Sequence, residues 1–363
     1  MDATPDWNFF RQQLTAWYRP DRRPMPWKAI ANPYHIWLSE IILQQTRVEQ
    51  GMPYYERFVA AYPEVSDLAA APDDDVMKLW EGLGYYSRAR NLLKAARTVV
   101  NEHGGEFPDT YAGLLTLPGV GPYTAAAIAS FAFGRQVAVL DGNVYRVLSR
   151  FAADDTPIDA SRSRKHFQAS VDAAMGEMPA QKFNQAIMDF GALVCTPKRA
   201  SCPSCPLAEN CAALAQGRVY ELPVKEKKLK RRNRYFHYLV IEDEAGRTII
   251  RQRTEKDVWQ ELYEFPLVET TVADQALESL DLSSALGNAV DPVALEFLRS
   301  SPPYRQELTH QRITVVFHRF RWATMPNKLT GYKIIKNKMF NKYAFPKVIT
   351  RFLDDKSLLL DLF

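Results

Sequence analysis

The chain has no long apolar run, no low-complexity segment and no tandem repeat. Because no stretch approaches roughly 18 apolar residues, we expect no membrane span and no membrane partner. The N-terminal residues do not read as a signal peptide. Only four cysteines occur in 363 residues, so a disulfide framework is not expected. With 47% hydrophobic residues, the sequence favours a cytoplasmic protein whose length suits two globular domains.

The four cysteines that are present are clustered. They lie within seventeen residues, in the spacing C-x6-C-x2-C-x5-C, at Cys195, Cys202, Cys205 and Cys211. Thiolates held this close together on short loops bind soft metals. The spacing therefore predicts a metal site, and it leaves a tetrahedral zinc and a [4Fe–4S] cluster both open.

Basic charge is concentrated in one segment, residues 225–234, which holds seven basic residues and one acidic residue. Such a run is either a solvated linker or a tether along DNA phosphates. Before it the apolar periodicity is helical, and after it short β-rich runs occupy residues 235–242, 248–253 and 313–323. We predict an all-α domain over residues 1–220, a basic linker over 221–234, and an α+β domain over 235–363.

The segment LPGVGPYTA, which starts at Leu117, opens an alanine-rich helix. Gly119 and Gly121 expose backbone N–H groups beside a helix N-terminus, and that combination favours an anion site. A simple turn between packed helices is the alternative. Shortly afterwards Asp141 precedes another predicted helix, where it is either an N-cap or a catalytic carboxylate.

A carboxyl group also stands on an apolar helix face, in the segment WLSEIILQQTRV that starts at Trp37. Helical spacing puts Glu40 on one face with Ile36 and Leu43, where desolvation would raise the pKa of its carboxyl group. A glutamate in a helix is otherwise usually solvated or ion-paired. Glu40 is thus a candidate general acid.

These segments, together with RPMPW from Arg23 and GLGYYSR from Gly82, resemble the MutY-type adenine DNA glycosylases of the endonuclease III superfamily. The resemblance covers roughly residues 20 to 215. It implies a helix-hairpin-helix at about residues 113–134 and a [4Fe–4S] cluster on the loop 195–211. The cluster would stiffen a loop that touches DNA.

The resemblance also implies roles for single residues. Glu40 would protonate an extruded adenine and then activate water, while Asp141 would stabilise the sugar cation with support from Tyr123 and Asn143. The positions implied to bind substrate or DNA are Arg23, Trp27, Gln45, Thr46, Tyr85, Arg88, Gly119, Gly121 and Gln185. Endonuclease III carries a nucleophilic lysine where this chain has Tyr123, so a Schiff base is disfavoured.

The C-terminal segment VWQELYEFP, from Val258, resembles the Nudix-like domain of MutY proteins. A helix with clustered glutamates, which binds metal in Nudix hydrolases, is missing over residues 273–287, so we expect a recognition module. A Phe-Ser-His loop contacts 8-oxoguanine in the family, and Leu308, Thr309 and His310 stand there. Thr309 retains the hydroxyl. His310 with only a packing role is the alternative.

The predicted architecture is therefore an all-α helix-hairpin-helix glycosylase domain with an iron–sulfur loop, followed by an α+β Nudix-like domain. We expect a monomeric, cytoplasmic, nucleoid-associated, monofunctional glycosylase. Its expected partner is double-stranded DNA containing adenine opposite 8-oxoguanine or guanine. The alternatives are an endonuclease III-like glycosylase and lyase for oxidised pyrimidines, and a non-catalytic DNA-binding module, which Glu40 and Asp141 argue against.

Overall fold

The computed structural model describes residues 4–226, 231–273 and 275–355. The chain divides into two compact units. The helical unit comprises Met1–Ala70 and Asn91–Lys228, and the sheet unit comprises Ala71–Arg90 and Leu229–Phe363. Within the described ranges, no helix is both long and apolar enough to cross a membrane.

The helical unit confirms the predicted all-α architecture. Its helices are α1 (Trp7–Trp17), α2 (Pro33–Leu43), α3 (Val48–Ala61), α4 (Val65–Ala70), α6 (Ser87–His103, from Asn91 onward), α7 (Tyr111–Leu114), α8 (Pro122–Phe133), α9 (Gly142–Ala152), α10 (Ser163–Met175), α11 (Ala180–Leu193) and α12 (Ala212–Ala215). Short 3-10 turns occupy Pro20–Arg22, Pro26–Ala29 and Cys202–Ser204.

The core of the helical unit forms around helices with strongly apolar faces. In α1, Asp6 caps the first turn, and Phe10 and Leu14 are fully buried. Helix α8 is buried on nearly every side, and its alanines and Ile128 are among the buried residues. Its C-cap residue, Gly134, has a left-handed backbone conformation. Because α8 contacts α2, α7 and α11, the chain segments on either side of it are held in fixed positions.

The sheet unit confirms the predicted α+β architecture. Its strands are β1 (Arg232–Glu242), β2 (Arg247–Gln252), β3 (Tyr263–Glu264), β4 (Leu267–Thr270), β5 (Leu295–Ser300), β6 (Tyr304–Glu307), β7 (Gln311–Trp322) and β8 (Lys333–Lys336). Its helices are α5 (Asp73–Leu79), the first residues of α6, α13 (Leu282–Leu286) and α14 (Lys347–Leu353), with 3-10 turns at Leu277–Ser279, Gly287–Ala289, Pro292–Ala294 and Asn337–Lys342.

The strands form one mixed sheet. Its main order is β3-β2-β1-β7-β5, with β4 on β1, β6 on β7 and β8 on β2. The strands β1 and β7 are parallel, and the other pairs are antiparallel. Strands β1, β2 and β7 match the three predicted β-rich runs. The antiparallel pairing of β6 with β7 leaves Thr309 and His310 in the turn between them.

The sheet unit also contains a segment that the sequence placed in the helical domain, Ala71–Arg90. Specific hydrogen bonds hold it there: the Tyr263 hydroxyl donates to Asp74 at 2.9 Å, and the Phe345 backbone N–H donates to Glu81 at 2.8 Å. A periodicity argument could not reveal this, because the partners lie far away in the chain.

The predicted basic linker is partly ordered into the sheet. Strand β1 begins at Arg232, and the buried Arg234 pairs with Asp257 at 2.7 Å and Glu269 at 2.6 Å. Arg231 pairs with Glu307 at 2.9 Å. Residues 227–230 lie outside the described residues, so the DNA-tether interpretation stays a prediction for them.

A buried carboxylate, Glu264, lies within the Nudix-like segment that starts at Val258. Glu264 has no exposed surface, and it accepts hydrogen bonds from Tyr238 at 3.0 Å and Arg253 at 2.6 Å. Arg251 donates to its other oxygen at 3.1 Å. The carboxylate is thus balanced by two guanidinium groups inside the protein.

We expect Glu264→Ala to lower the free energy of unfolding by about 3–5 kcal/mol, because the buried Arg253 and the half-buried Arg251 both lose this carboxylate. Chemical denaturation of the full chain measures this. The control is Glu296→Ala, whose pair with Arg321 is exposed, at 63% and 51% of the two side chains. It should change the free energy by less than about 1 kcal/mol. Equal losses in the two variants would contradict the account.

Candidate active site

A cavity of about 1180 Å³ in the helical unit brings the predicted catalytic residues together. Its walls include Glu40, Tyr123, Asp141 and Asn143. Seven of the residues predicted to bind substrate or DNA line the same cavity: Arg23, Trp27, Gln45, Thr46, Gly119, Gly121 and Gln185. Segments distant in sequence thus converge on one space.

Glu40 lies on α2, and Ile36 and Leu43 line the cavity beside it, as the helical spacing predicted. Burial raises the pKa of the Glu40 carboxyl group to about 7. A hydrogen bond with Tyr123 lowers that pKa, and the nearby charge of Asp141 raises it further. A substantial fraction of the Glu40 side chains therefore carries a proton at neutral pH.

Asp141 is the N-cap of α9. Its Oδ1 accepts the backbone N–H groups of Asn143 at 2.8 Å and Val144 at 2.7 Å, and its Oδ2 accepts the Asn143 side-chain amide at 2.8 Å. Burial raises the pKa of Asp141 above its ordinary value, and these hydrogen bonds offset part of that rise. All three of these N–H groups donate, so the arrangement suits the ionised form of this carboxylate.

The support for Asp141 extends to the cysteine loop through Arg146. Its Nη2 donates to Asn143 Oδ1 at 2.8 Å and to the Gly191 carbonyl oxygen at 2.7 Å. Its Nε donates to the Cys195 carbonyl oxygen at 2.7 Å. A continuous set of hydrogen bonds therefore runs from the Asp141 carboxylate to the first cysteine.

Asp189 holds several residues of the cavity wall in place, and the sequence interpretation missed it. The carboxylate is buried on α11 and pairs with Arg23 at 3.2 Å and Lys28 at 2.7 Å. It also accepts a hydrogen bond from the Gln185 amide at 3.3 Å. The sequence did contain an indication of this role. Asp189 stands between Met188 and Phe190 on a largely apolar helix, just as Glu40 stands on an apolar helix face.

Gly119 and Gln45 have left-handed backbone conformations, whereas Gly121 does not. Gly119 has a φ of +75°, and a Cβ there would lie 2.6 Å from Asn91 Cβ, so this position requires glycine. Gly121 has an ordinary φ and is the N-cap of α8. Gln45 has a φ of 55°, which is uncommon for a residue with a side chain and is enriched at functional sites.

The remaining predicted residues lie in the sheet unit. Tyr85 is 45% exposed and has a φ of 49°, and its hydroxyl lies 2.5 Å from Thr309 Oγ1. His310 beside it is exposed. Arg88, by contrast, is buried: it donates to the Gly84 carbonyl oxygen at 3.2 Å and stacks on Trp80. In this structure Arg88 therefore supports the Tyr85 loop.

The four predicted metal ligands lie near one another in the helical unit. Burial raises the pKa of Cys205 to about 11, and the charges of Cys195, Cys211 and Cys202 add to that effect. The Arg150 guanidinium lies 3.4 Å from Cys195 Sγ. No group of three or more His, Cys, Asp or Glu residues within the described ranges is arranged to hold a metal ion. The all-thiol donor set with a neighbouring cation does fit the chemistry of an iron–sulfur cluster.

Family models match both units. Residues 38–172 match the HhH-GPD superfamily of base excision DNA repair proteins, and residues 237–355 match a NUDIX domain. Among solved structures, a thermostable thymine-DNA glycosylase is 28% identical, with a TM-score of 0.53 over 58% of this chain and 97% of that chain. A trapped endonuclease III–DNA covalent intermediate has a TM-score of 0.51 at 23% identity over 58% and 96%, which is a likeness of fold.

Curated relatives give the family. The adenine DNA glycosylase of Buchnera aphidicola subsp. Baizongia pistaciae is 34% identical over 71% of this chain and 73% of its own length. The adenine DNA glycosylase of Homo sapiens is 42% identical over 56% and 39%. With this identity and coverage, and with a helix-hairpin-helix unit followed by a Nudix-like unit, the chain belongs to the adenine DNA glycosylases, enzymes of base excision repair that hydrolyse N-glycosyl bonds.

Proposed function

We propose that the protein excises adenine paired with 8-oxoguanine or guanine in duplex DNA. The observation that carries this proposal is the convergence of Glu40 and Asp141 on one cavity, with Tyr123 hydrogen-bonded to Glu40. Loss of adenine from its sugar requires a proton donor for the leaving base and a negative charge for the cationic sugar. The two carboxyl groups meet these two requirements.

The reaction begins with an adenine extruded from the duplex into the cavity. Protonated Glu40 donates its proton to N7, and the N-glycosyl bond breaks with its electron pair going to the base. The carboxylate of Asp141 stabilises the resulting oxocarbenium ion. Ionised Glu40 then accepts a proton from a water molecule, whose oxygen bonds to the anomeric carbon. The products are adenine and an abasic site, and Glu40 is protonated again.

The wall around Asp189 supports a preference for adenine. Gln185 donates its amide N–H to Asp189, which directs its carbonyl oxygen away from that carboxylate. This oxygen would accept a hydrogen bond from the exocyclic amine of adenine. A purine with a carbonyl oxygen at the same position would place two acceptors opposite each other.

A lyase mechanism is the second candidate, and the residue at the position of the endonuclease III nucleophile argues against it. Such a mechanism needs an amine nucleophile, and Tyr123 occupies the position of the endonuclease III lysine. The amine of Lys28 is engaged with Asp189 at 2.7 Å and the Arg23 carbonyl oxygen at 2.8 Å. The paired carboxyl groups likewise argue against a module that only binds DNA.

The cysteine loop would hold a [4Fe–4S] cluster, through Cys195, Cys202, Cys205 and Cys211. When bound, such a cluster would cross-link this loop. Arg146 would then transmit the rigidity of the loop to Asn143 and Asp141, because it binds the Cys195 carbonyl oxygen as well as Asn143. In this scheme the cluster supports the position of the carboxylate and takes no part in hydrolysis.

Recognition of the base opposite adenine would fall to Thr309 and His310. Gln45 and Tyr85 would fill the space that the extruded adenine leaves in the base stack. The contact between the Tyr85 and Thr309 hydroxyls supports this assignment, since it holds two of these residues beside each other on the sheet unit. The N7–H and O8 groups distinguish 8-oxoguanine from guanine. A threonine hydroxyl can accept a hydrogen bond from N7–H.

We expect Glu40→Gln to reduce single-turnover excision by about 10²–10⁴-fold while duplex binding is retained, because a general acid is lost. Excision by the unaltered protein should fall as pH rises through about 7, the pKa of Glu40, since the ionised form cannot donate. Glu49→Gln, an exposed change on α3, is the control and should leave the rate unchanged. Normal turnover by Glu40→Gln would overturn the assignment, and strand cleavage without alkali would favour a lyase.

We expect Thr309→Val to lower the ratio of excision at 8-oxoguanine:adenine to excision at guanine:adenine. Loss of one good base contact is worth about 5- to 150-fold. Thr254→Val, on another exposed loop of the same unit, is the matched control. The measurement is the affinity and single-turnover rate for both duplexes. An unaltered ratio would mean that the opposite base is recognised elsewhere.

A further inference from the structure

The loop that presents Tyr85 is held in one conformation by hydrogen bonds within the loop. Tyr85 has a φ of 49° and follows Gly84, whose φ is 77°. The Gly84 carbonyl oxygen accepts the indole N–H of Trp80 at 3.0 Å. The hydroxyl of the buried Tyr86 accepts the Gly82 backbone N–H at 3.1 Å. The loop is therefore rigidly joined to the end of α5, from which it starts.

The end of α5 is fastened to a distant segment of the sheet unit, residues 343–345. Glu81, at the start of the loop, accepts the backbone N–H of Phe345 at 2.8 Å. Lys78 donates to the Tyr343 carbonyl oxygen at 2.9 Å and to Glu81 at 2.5 Å. The two side chains thus pair with each other, and each also binds the backbone of the same short segment. We call Lys78, Glu81 and residues 343–345 the clamp.

The segment 343–345 is itself fixed on the sheet. The Ala344 carbonyl oxygen accepts the backbone N–H of Tyr263, on β3, at 2.8 Å, and the ring of Tyr343 packs edge-on against the Tyr263 ring at 4.8 Å. The charged side chains of the clamp are partly buried, with 30% of Lys78 and 19% of Glu81 exposed. Water and salt therefore screen these contacts less than they screen a fully exposed pair.

The tip of the loop contacts a different part of the sheet unit. The Tyr85 hydroxyl lies 2.5 Å from Thr309 Oγ1, in the turn between β6 and β7. The clamp attaches to β3, at one end of the main strand order, whereas β6 pairs with β7 near the other end. A contact between two hydroxyl groups is lost when the oxygens separate by about 1 Å. The contact with Thr309 therefore depends on where the clamp holds the loop.

We propose that Lys78 and Glu81 are positioning residues for recognition of the base opposite adenine. They do not contact the base or the reacting atoms. They hold the loop so that the Tyr85 and Thr309 hydroxyls stay beside each other. The inference rests on the proposed function, because it takes Thr309 as a residue that recognises the opposite base and Tyr85 as its neighbour. It adds that the preference for 8-oxoguanine over guanine depends on the clamp.

The test compares single-turnover excision at 8-oxoguanine:adenine with excision at guanine:adenine, in variants of the full chain. Glu81→Ala removes the acceptor for the Phe345 N–H, and it should lower the ratio of the two rates by about 2- to 30-fold, the range for residues that act through others. Glu81→Gln keeps an oxygen acceptor and should retain most of the ratio. A general loss of stability would slow excision from both duplexes and leave their ratio unchanged.

A milder variant and a matched control accompany Glu81→Ala. Lys78→Met keeps the aliphatic part of the side chain but removes the donor to the Tyr343 carbonyl oxygen, so it should lower the ratio in the same direction. Asp75→Ala removes an exposed carboxylate from the same helix and should leave the ratio unchanged. The proposal is wrong if Glu81→Ala and Lys78→Met both retain the ratio of the unaltered protein.

A charge-reversed pair, Lys78→Glu with Glu81→Lys, distinguishes the clamp from a simple ion pair within the chain. The reversal keeps two opposite charges side by side. A lysine offers no acceptor to the Phe345 N–H, however, and a glutamate offers no donor to the Tyr343 carbonyl oxygen. The ratio should therefore fall as it does in Glu81→Ala. Recovery of the full ratio would overturn the proposal.

Tyr85→Ala separates a failure of this inference from a failure of the proposed function. If Tyr85→Ala lowers the ratio and Glu81→Ala does not, the clamp has no role in recognition and the inference alone is wrong. If Tyr85→Ala leaves the ratio unchanged, the role proposed for Tyr85 is wrong, and the inference is wrong with it. A lower ratio in both variants supports the proposal.

Discussion

The chemistry of this protein depends on a difference in protonation between two carboxyl groups that share one cavity. Burial alone would raise the pKa of both, because a charge is costly to hold away from water. The two carboxyl groups nevertheless differ in protonation because they have different neighbours. Glu40 has one hydroxyl group beside it among apolar side chains, whereas Asp141 has three N–H donors. The first arrangement tolerates a proton, and the second stabilises an anion.

Both sides of the cavity depend on residues behind the reacting groups. Arg146 holds Asn143, which donates to Asp141, so a small change at α9 would alter the position of the carboxylate. Asp189 has a similar function for Lys28 and Arg23, with which it forms ion pairs. A buried charge without its partner is strongly unfavourable. Removing one member of these pairs would therefore destabilise the fold.

The parts of the site that local rules govern could be predicted from the sequence. Helical periodicity placed Glu40 on an apolar face and Asp141 stood before a predicted helix, whereas the resemblance to the MutY-type family supplied their catalytic roles. The roles of Asp189 and Arg146 could not be predicted, because they arise from partners on helices distant in the chain. Lys28 and Asp189, for example, are 161 positions apart. For the same reason the sequence placed residues 71–90 in the helical domain and Arg234 in a linker, whereas long-range hydrogen bonds attach both to the sheet.

The most direct test of the account is a pH titration of both carboxyl groups by difference infrared spectroscopy, with Glu40→Gln and Asp141→Asn used to assign the bands. The account predicts that the Glu40 carboxyl group loses its proton with a midpoint of about 7, while Asp141 is already ionised at that pH. A Glu40 midpoint near its ordinary value of 4.5, or a protonated Asp141 at neutral pH, would contradict the division of roles between the two groups.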